Sequence, residues 1–204
     1  MRRRWKTMLL VGIAALLVAS LSGVALAAGP PWKTGDASGT DPVQTRGSES
    51  GLCTATNAAP LSDYEKQALL FMREEEKLAR DVYTTLYAKW GVVEFDNIAE
   101  SESRHMASVA RLLDRYGLAD PVAVDSPGVF ANDELQAAYD QLVAQGSKSL
   151  EDALQVGVSI EELDIADLEE LIAQADHPDI SRVMQNLLRG SQNHLTAFTS
   201  LLDD

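Results

Sequence analysis

Glu102 and His105 stand three residues apart in Glu102-Ser103-Arg104-His105, a spacing that brings both side chains to one point on a helix. The other positions on that face, Ile98, Val109, Leu112 and Tyr116, are apolar or aromatic, so a carboxylate and an imidazole interrupt a stripe that otherwise reads as core. Three more stretches repeat the pattern. Glu76 interrupts Leu69, Met72, Ala79, Tyr83 and Leu86. Glu161 and Asp164 interrupt Leu154, Gly157, Leu168 and Leu171. His194 interrupts Ile180, Val183, Leu187, Phe198 and Leu201, with Ser191 on the same row. Burying one unpaired carboxylate costs several kcal/mol, and burying several together adds mutual repulsion. A pair of divalent cations removes that repulsion and uses the same side chains as ligands. Oxygen and imidazole donors suit iron, manganese or zinc, and the lack of thiolates argues against copper(I) and iron–sulfur clusters.

The elements that must carry these residues are helical. Ser62 with Glu65 three residues on forms a capping box, which predicts a first helix from Ser62 to about Trp90, stopped at Gly91. A second is expected from about Phe95 to Tyr116, ended by Gly117. Asp120-Pro121 to Gly128 reads as a loop, and Asp133 to Gln145 as a shorter helix closed by Gly146. A third long helix runs from near Ser149 to about Gln174, and a fourth from Pro178, a favoured first helical position, to Leu202. Strand-like alternation and internal repeats are lacking. Four long amphipathic helices with one long connection suit a helical bundle with a single crossover.

Each feature also has a bland reading. A run such as Glu74-Glu75-Glu76 ordinarily forms a solvated face, so Glu74 and Glu75 are expected in water with Glu76 turned inward. Glu162 shares a face with Gln155 and Glu169 and is expected to be exposed. His177 is expected to be a capping or surface residue. His194 alone fits a satisfied core histidine. Tyr83, two turns from Glu76, fits a redox-active neighbour or a core tyrosine with a satisfied hydroxyl.

The ends of the reading are set by composition. Arg2, Arg3, Arg4 and Lys6, an apolar run from Met8 to Val18, and Ala25-Leu26-Ala27 together read as a secretory signal peptide over residues 1–27. The alternative is an uncleaved anchor. Residues 28–60, with Gly, Pro, Ser, Thr and Asn and no apolar period, read as a flexible linker, and the folded domain is expected over 61–204. Removing the signal takes the formal charge from −14 to −18, because that segment holds four basic residues and no acidic ones. Such a charge disfavours binding to nucleic acid and, after signal cleavage, to anionic membranes. Cys53 is the single cysteine and cannot form a disulfide within the chain. No arrangement for nucleophilic catalysis and no glycine-rich phosphate loop appears.

Glu76-Lys77-Leu78-Ala79-Arg80-Asp81-Val82-Tyr83, followed by Tyr87-Ala88-Lys89, resembles the first helix of the rubrerythrin branch of the ferritin-like superfamily. Glu102-Ser103-Arg104-His105 resembles the second-helix Glu-x-x-His of the same group. More closely, Leu61 to Leu202 resembles the DUF2202 family of bacteria and archaea, through residues 75–83, 101–106, 157–168 and 190–195. The resemblance implies an all-α fold: a ferritin-like four-helix bundle whose long crossover contains an extra short helix. It implies Glu76, Glu102, His105, Glu161 and His194 as ligands of a di-iron or di-manganese centre. There is one departure: Ser191 occupies the carboxylate position of a second Glu-x-x-His, and Asp164 is the residue able to compensate. The activity implied is oxidation of metal or reduction of peroxide or dioxygen. Two other readings stand beside it, a non-catalytic metal scavenger and a metal-free helical interaction module.

Overall fold

The computed structural model describes residues 60–203, so the expected signal segment and nearly all of the expected linker lie outside the described residues. Five helices follow in order: α1 (Asp63–Trp90), α2 (Val93–Tyr116), α3 (Asp133–Gly146), α4 (Leu150–Gln174) and α5 (Pro178–Asp203). There is no strand among the described residues, and none of their helices is long and apolar enough to cross a membrane.

Local chemistry sets the boundaries. Ser62 Oγ accepts from the Glu65 N–H at 3.2 Å, and Glu65 Oε2 accepts from the Ser62 N–H at 2.9 Å, so two otherwise orphaned amides are satisfied together. Gly91 closes α1 in the left-handed region (φ 69°), donating its N–H to Tyr87 O at 2.8 Å. Gly117 ends α2 in the same way (φ 66°). Asn132 caps α3 and Ser149 caps α4 through side-chain oxygens.

The helices pack most extensively as two pairs, α1 with α2 and α4 with α5. Contacts of α2 with α5 and of α1 with α4 join the pairs, and α3 lies against α1 and α4. Two apolar clusters form the core. One gathers Tyr83, Phe95, Phe198 and the α3 residues Leu135, Ala138 and Leu142. The other gathers Leu69, Met72, Val109, Leu168, Ile180 and Leu187. On each of the four long helices buried polar residues stand between the two clusters: Glu75 and Glu76 on α1, Glu102 and His105 on α2, Glu161, Asp164 and Asp167 on α4, Ser191 and His194 on α5. The charged interruptions of the stripes therefore meet at one level.

Two expectations are corrected. Glu74 and Glu75 are buried rather than solvated, at 5 % and 6 % exposure. Residues 117–132 and α3 cover the outer face of α1, which leaves Met72 to Ala79 buried without a break. Arg73 binds Asp120 at 3.0 Å, and Glu74 Oε1 accepts from Ala131 N at 2.6 Å. Lys77 pairs with Asp81 and donates to Ser126 O at 2.8 Å. Arg80 bridges Asp81 at 2.7 Å and Asp125 at 2.6 Å, and Asp81 also accepts from Gly128 N at 2.8 Å. The second correction is His177. It stands at the start of α5, with its carbonyl accepting from Ser181 N, yet it is buried. Its Nδ1 lies 2.7 Å from Glu65 Oε1, which also accepts from the backbone N–H groups of Asp176 and His177. Glu162, by contrast, is exposed as expected.

Candidate metal centre

Glu102 sits at the middle of the polar level, 1 % exposed, and each of its oxygens faces a different imidazole. His105 Nδ1 is 2.8 Å from Glu102 Oε2, and His194 Nδ1 is 2.7 Å from Glu102 Oε1. A second carboxylate stands beside each ring: Glu76 Oε2 is 3.2 Å from His105 Nδ1, and Glu161 Oε2 is 3.5 Å from His194 Nδ1. Two triads result, Glu76–Glu102–His105 and Glu102–Glu161–His194, each with one ligand atom per residue lying within 4.8 Å of the others. The two rings stack at 5.6 Å between centroids.

His105 and Glu76 share a hydrogen bond, but the contacts of both imidazoles with Glu102 are not well-aligned hydrogen bonds. Both Glu102 oxygens and His194 Nδ1 are buried without a hydrogen-bond partner of acceptable geometry, as are Glu76 Oε1 and Asp164 Oδ1. Such atoms are rare in folded proteins and costly. Donor atoms directed at a common point rather than at each other are what a shared cation requires.

The neighbours hold these groups in place. Tyr83 donates its hydroxyl to Glu161 Oε1 at 2.6 Å, while its ring packs on Phe198 at 5.2 Å. Gly157 admits that aromatic cluster, since a Cβ there would lie 2.8 Å from the Phe198 ring. A Cβ on Gly190 would lie 2.5 Å from His105 Nε2, so the His105 ring rests on bare α5 backbone with Nδ1 turned to the carboxylates. Ser191 Oγ donates to Asp164 Oδ2.

Electrostatics follow the geometry. Burial alone disfavours a charged Glu102, but the two imidazoles outweigh it and hold the carboxyl at about 2. Burial likewise opposes protonation of His105, yet Glu102 and Glu76 raise it to about 11; His194 is raised to about 9 by Glu102 and Glu161 against the same penalty. Burial and then the charge of Asp164 push Glu76 well above the usual carboxylate range. Burial and the charge of Glu102 raise Glu161 to about 7. Asp164 is pushed well up by burial and by the charges of Glu161 and Glu102.

All seven residues singled out in the sequence therefore lie at this level: Glu76, Glu102, His105, Glu161 and His194 in the two triads, with Asp164 and Tyr83 beside them. Glu75 and Asp167 were missed. Burial pushes Glu75 well up, aided by the charges of Asp167, Asp164 and Glu76; burial raises Asp167 to about 6. The three-residue step from Asp164 to Asp167 on one face of α4 was the available signal.

Known proteins share this architecture. The uncharacterized protein MJ0754 of Methanocaldococcus jannaschii is 54 % identical over 145 residues, which are 71 % of this chain and 78 % of that protein. The crystal structure of hypothetical protein MJ0754 from Methanococcus jannaschii superposes with a TM-score of 0.71 at 52 % identity, covering 74 % of this chain and 86 % of the other. A DUF305 fragment from Deinococcus radiodurans has a TM-score of 0.57 at 16 % identity, covering 71 % and 99 %, a likeness of fold alone. Residues 65–204 match the family described as Uncharacterized protein domain (DUF2202), and with its helices and its relative in agreement the chain belongs to that family.

Proposed function

We propose that this chain is an exported ferritin-like metalloprotein, delivered by a signal peptide over residues 1–27, that binds a pair of iron or manganese ions and uses them to oxidise metal or to reduce peroxide or dioxygen. The observation that carries the reading is the shared carboxylate: Glu102 presents one oxygen to each of two Glu–His triads, with buried oxygens on Glu76 and Asp164 that no protein group satisfies. Two long helix pairs, with α3 inside the connection between α2 and α4, agree with a ferritin-like bundle and its single crossover.

The donor set fits such a pair. Glu76 and His105 would hold one ion, Glu161 and His194 the other, with Glu102 between them; zinc fits the same donors. Asp164, held by Ser191, would supply the carboxylate that Ser191 replaces. The metal pair supplies redox chemistry toward oxygen species when bound. This chain's residues supply the rest. Tyr83 fixes the orientation of Glu161, Gly190 lets the Nε2 edge of His105 approach the α5 backbone, and the two apolar clusters exclude water from either side of the centre.

The test is elemental analysis of protein purified without a metal-affinity tag, beside a Glu102→Ala/His105→Ala variant. The expected result is about two iron or manganese ions per chain, as in di-metal carboxylate bundles, and their loss in the variant. No metal after reconstitution with ferrous iron overturns the reading and leaves a helical interaction module, whose melting chelators would not change. Ser191 favours a second reading, a metal scavenger without turnover. A loaded protein that consumes neither peroxide nor dioxygen would establish it.

A further inference from the structure

A two-ion centre leaves part of the buried charge unanswered. Two divalent ions with neutral imidazoles offset Glu76, Glu102, Glu161 and Asp164, but not Glu75 and Asp167. Both are buried, at 6 % and 4 % exposure, and Glu75 Oε2, Asp167 Oδ2 and Asp164 Oδ1 all lack a hydrogen-bond partner. The cations nearest in sequence are committed elsewhere: Arg73 to Asp120, Lys77 to Asp81 and Ser126, Arg80 to Asp81 and Asp125. Three acidic groups, each with a buried oxygen that has no partner, therefore converge where α1 meets α4; Ser191 and the charge of His105 answer part of Asp164, and Glu75 lies against Asp167.

The arrangement also has a direction. Asp164, Asp167 and Glu170 follow one another at three-residue steps, a single row along α4. Asp164 is at the centre, Asp167 is beside Glu75, and Glu170 is half-buried at the outer end. The row thus runs from the centre to the half-buried Glu170, with Tyr64 close to Asp167 and Glu170.

We propose that Glu75, Asp167 and Asp164 form an outer cation position, with Glu170 at its mouth, through which a divalent metal ion passes from solvent to the Glu102 centre. This rests on the metal-binding reading above and assigns the path by which the centre is filled. An ion resting there meets hard oxygen donors only, and the imidazoles further in draw it onward to a site with mixed nitrogen and oxygen ligation.

The experiment mixes metal-free full-length protein with Co2+ and follows the cobalt absorption by stopped flow, for the native chain and for Glu75→Gln/Asp167→Asn. The expected result is uptake slowed about tenfold or more, the scale of lost electrostatic focusing, with the same final metal per chain. Glu169→Gln, on the exposed side of α4, should load at the native rate. Uptake at the native rate in the double variant overturns the proposal. So does a lower final metal content, which would make these residues ligands rather than a path. Failure of the native chain itself to take up Co2+ would overturn the metal reading, and that is seen before any variant is mixed. Circular dichroism melts of the metal-free variants check folding; should the double variant melt below the native chain, Glu170→Gln alone carries the rate comparison.

Discussion

Helix α1 buries charge on two faces, and the two are built on opposite terms. On the face toward residues 117–132, every charge has its answer: Arg73 with Asp120, Glu74 with backbone amides, Lys77 and Arg80 with Asp81. On the face toward the bundle, Glu75 and Glu76 look at Asp164, Asp167 and Glu102, and only part of that charge is answered, by His105 beside Glu76 Oε2. Glu74 and Lys77 are buried as deeply as Glu75 and Glu76, so burial does not distinguish the faces. Balance does. The paired face latches a long irregular connection to a helix and is complete without any ligand. The unpaired face is complete only with cations or protons, which is why the proposed centre is drawn there.

The largest expected effect comes from breaking the paired face. Asp81→Asn strips the partner from Lys77, which is 1 % exposed, and should cost about 3–5 kcal/mol in urea unfolding, the usual result of orphaning a buried charge. Glu76→Gln, made in metal-free protein, should leave stability unchanged or raise it, because it removes a charge that its neighbours already disfavour. Equal losses in both variants would erase the distinction between the faces.

A titration sharpens it further. In metal-free protein Glu161 and Asp167 hold their protons up to about 7 and about 6, above their unfolded values, so the folded chain binds more protons between about 4.5 and 7. Stability therefore rises as pH falls through that window, by roughly 3–4 kcal/mol for a shift the size of that at Glu161. His105 and His194 act in the same sense at higher pH. Their folded values, about 11 and about 9, lie above the unfolded one, so their contribution is full below about 6.5 and lost as pH rises through them. Glu102 and Glu65 oppose at the acid end: against burial, Glu102 is held at about 2 by His105 and His194 and Glu65 is held low by His177 and Ser62, so their contributions disappear as pH falls through their folded values. Melts in chelator should peak near pH 5, an optimum set by the order of these windows, and decline toward pH 9. A curve flat or rising to pH 8 would count against the unpaired face.

The same distinction explains what could be read in the sequence. Helix boundaries were legible because caps are local: Ser62 with Glu65, Gly91 and Gly117 act within one turn. The meeting of five side chains was legible because an ionisable group on an apolar stripe contradicts its own periodicity, and Glu76, Glu102, His105, Glu161 and His194 all did so. Glu74 and Glu75 were misread because periodicity assumes one buried face, whereas α1 is covered on both sides by a connection with no period of its own. His177 was misread because its partner, Glu65, lies 112 residues away and no local pattern announces it. Asp167 was missed because it adjoins Leu168 and sits beside the marked stripe rather than on it.

The smallest expected effect tests a neutral partner given to the carboxylates of the centre. Tyr83 donates to Glu161 Oε1 at 2.6 Å from within the aromatic cluster with Phe95 and Phe198. Tyr83→Phe keeps the ring and its packing and removes only the donor. The loss in stability should be about 1 kcal/mol, the net value of a single neutral hydrogen bond. Its effect on metal should be larger than on folding, because Glu161 then loses the group that orients it; affinity at the Glu161–His194 triad should fall about tenfold, the lower range for outer-shell partners. The Glu76–His105 triad, which Tyr83 does not touch, should keep its affinity. Competition titrations that resolve the two ions decide the matter. Equal weakening of both would mean that Tyr83 supports the bundle as a whole, and that Glu161 is held by packing rather than by its one hydrogen bond.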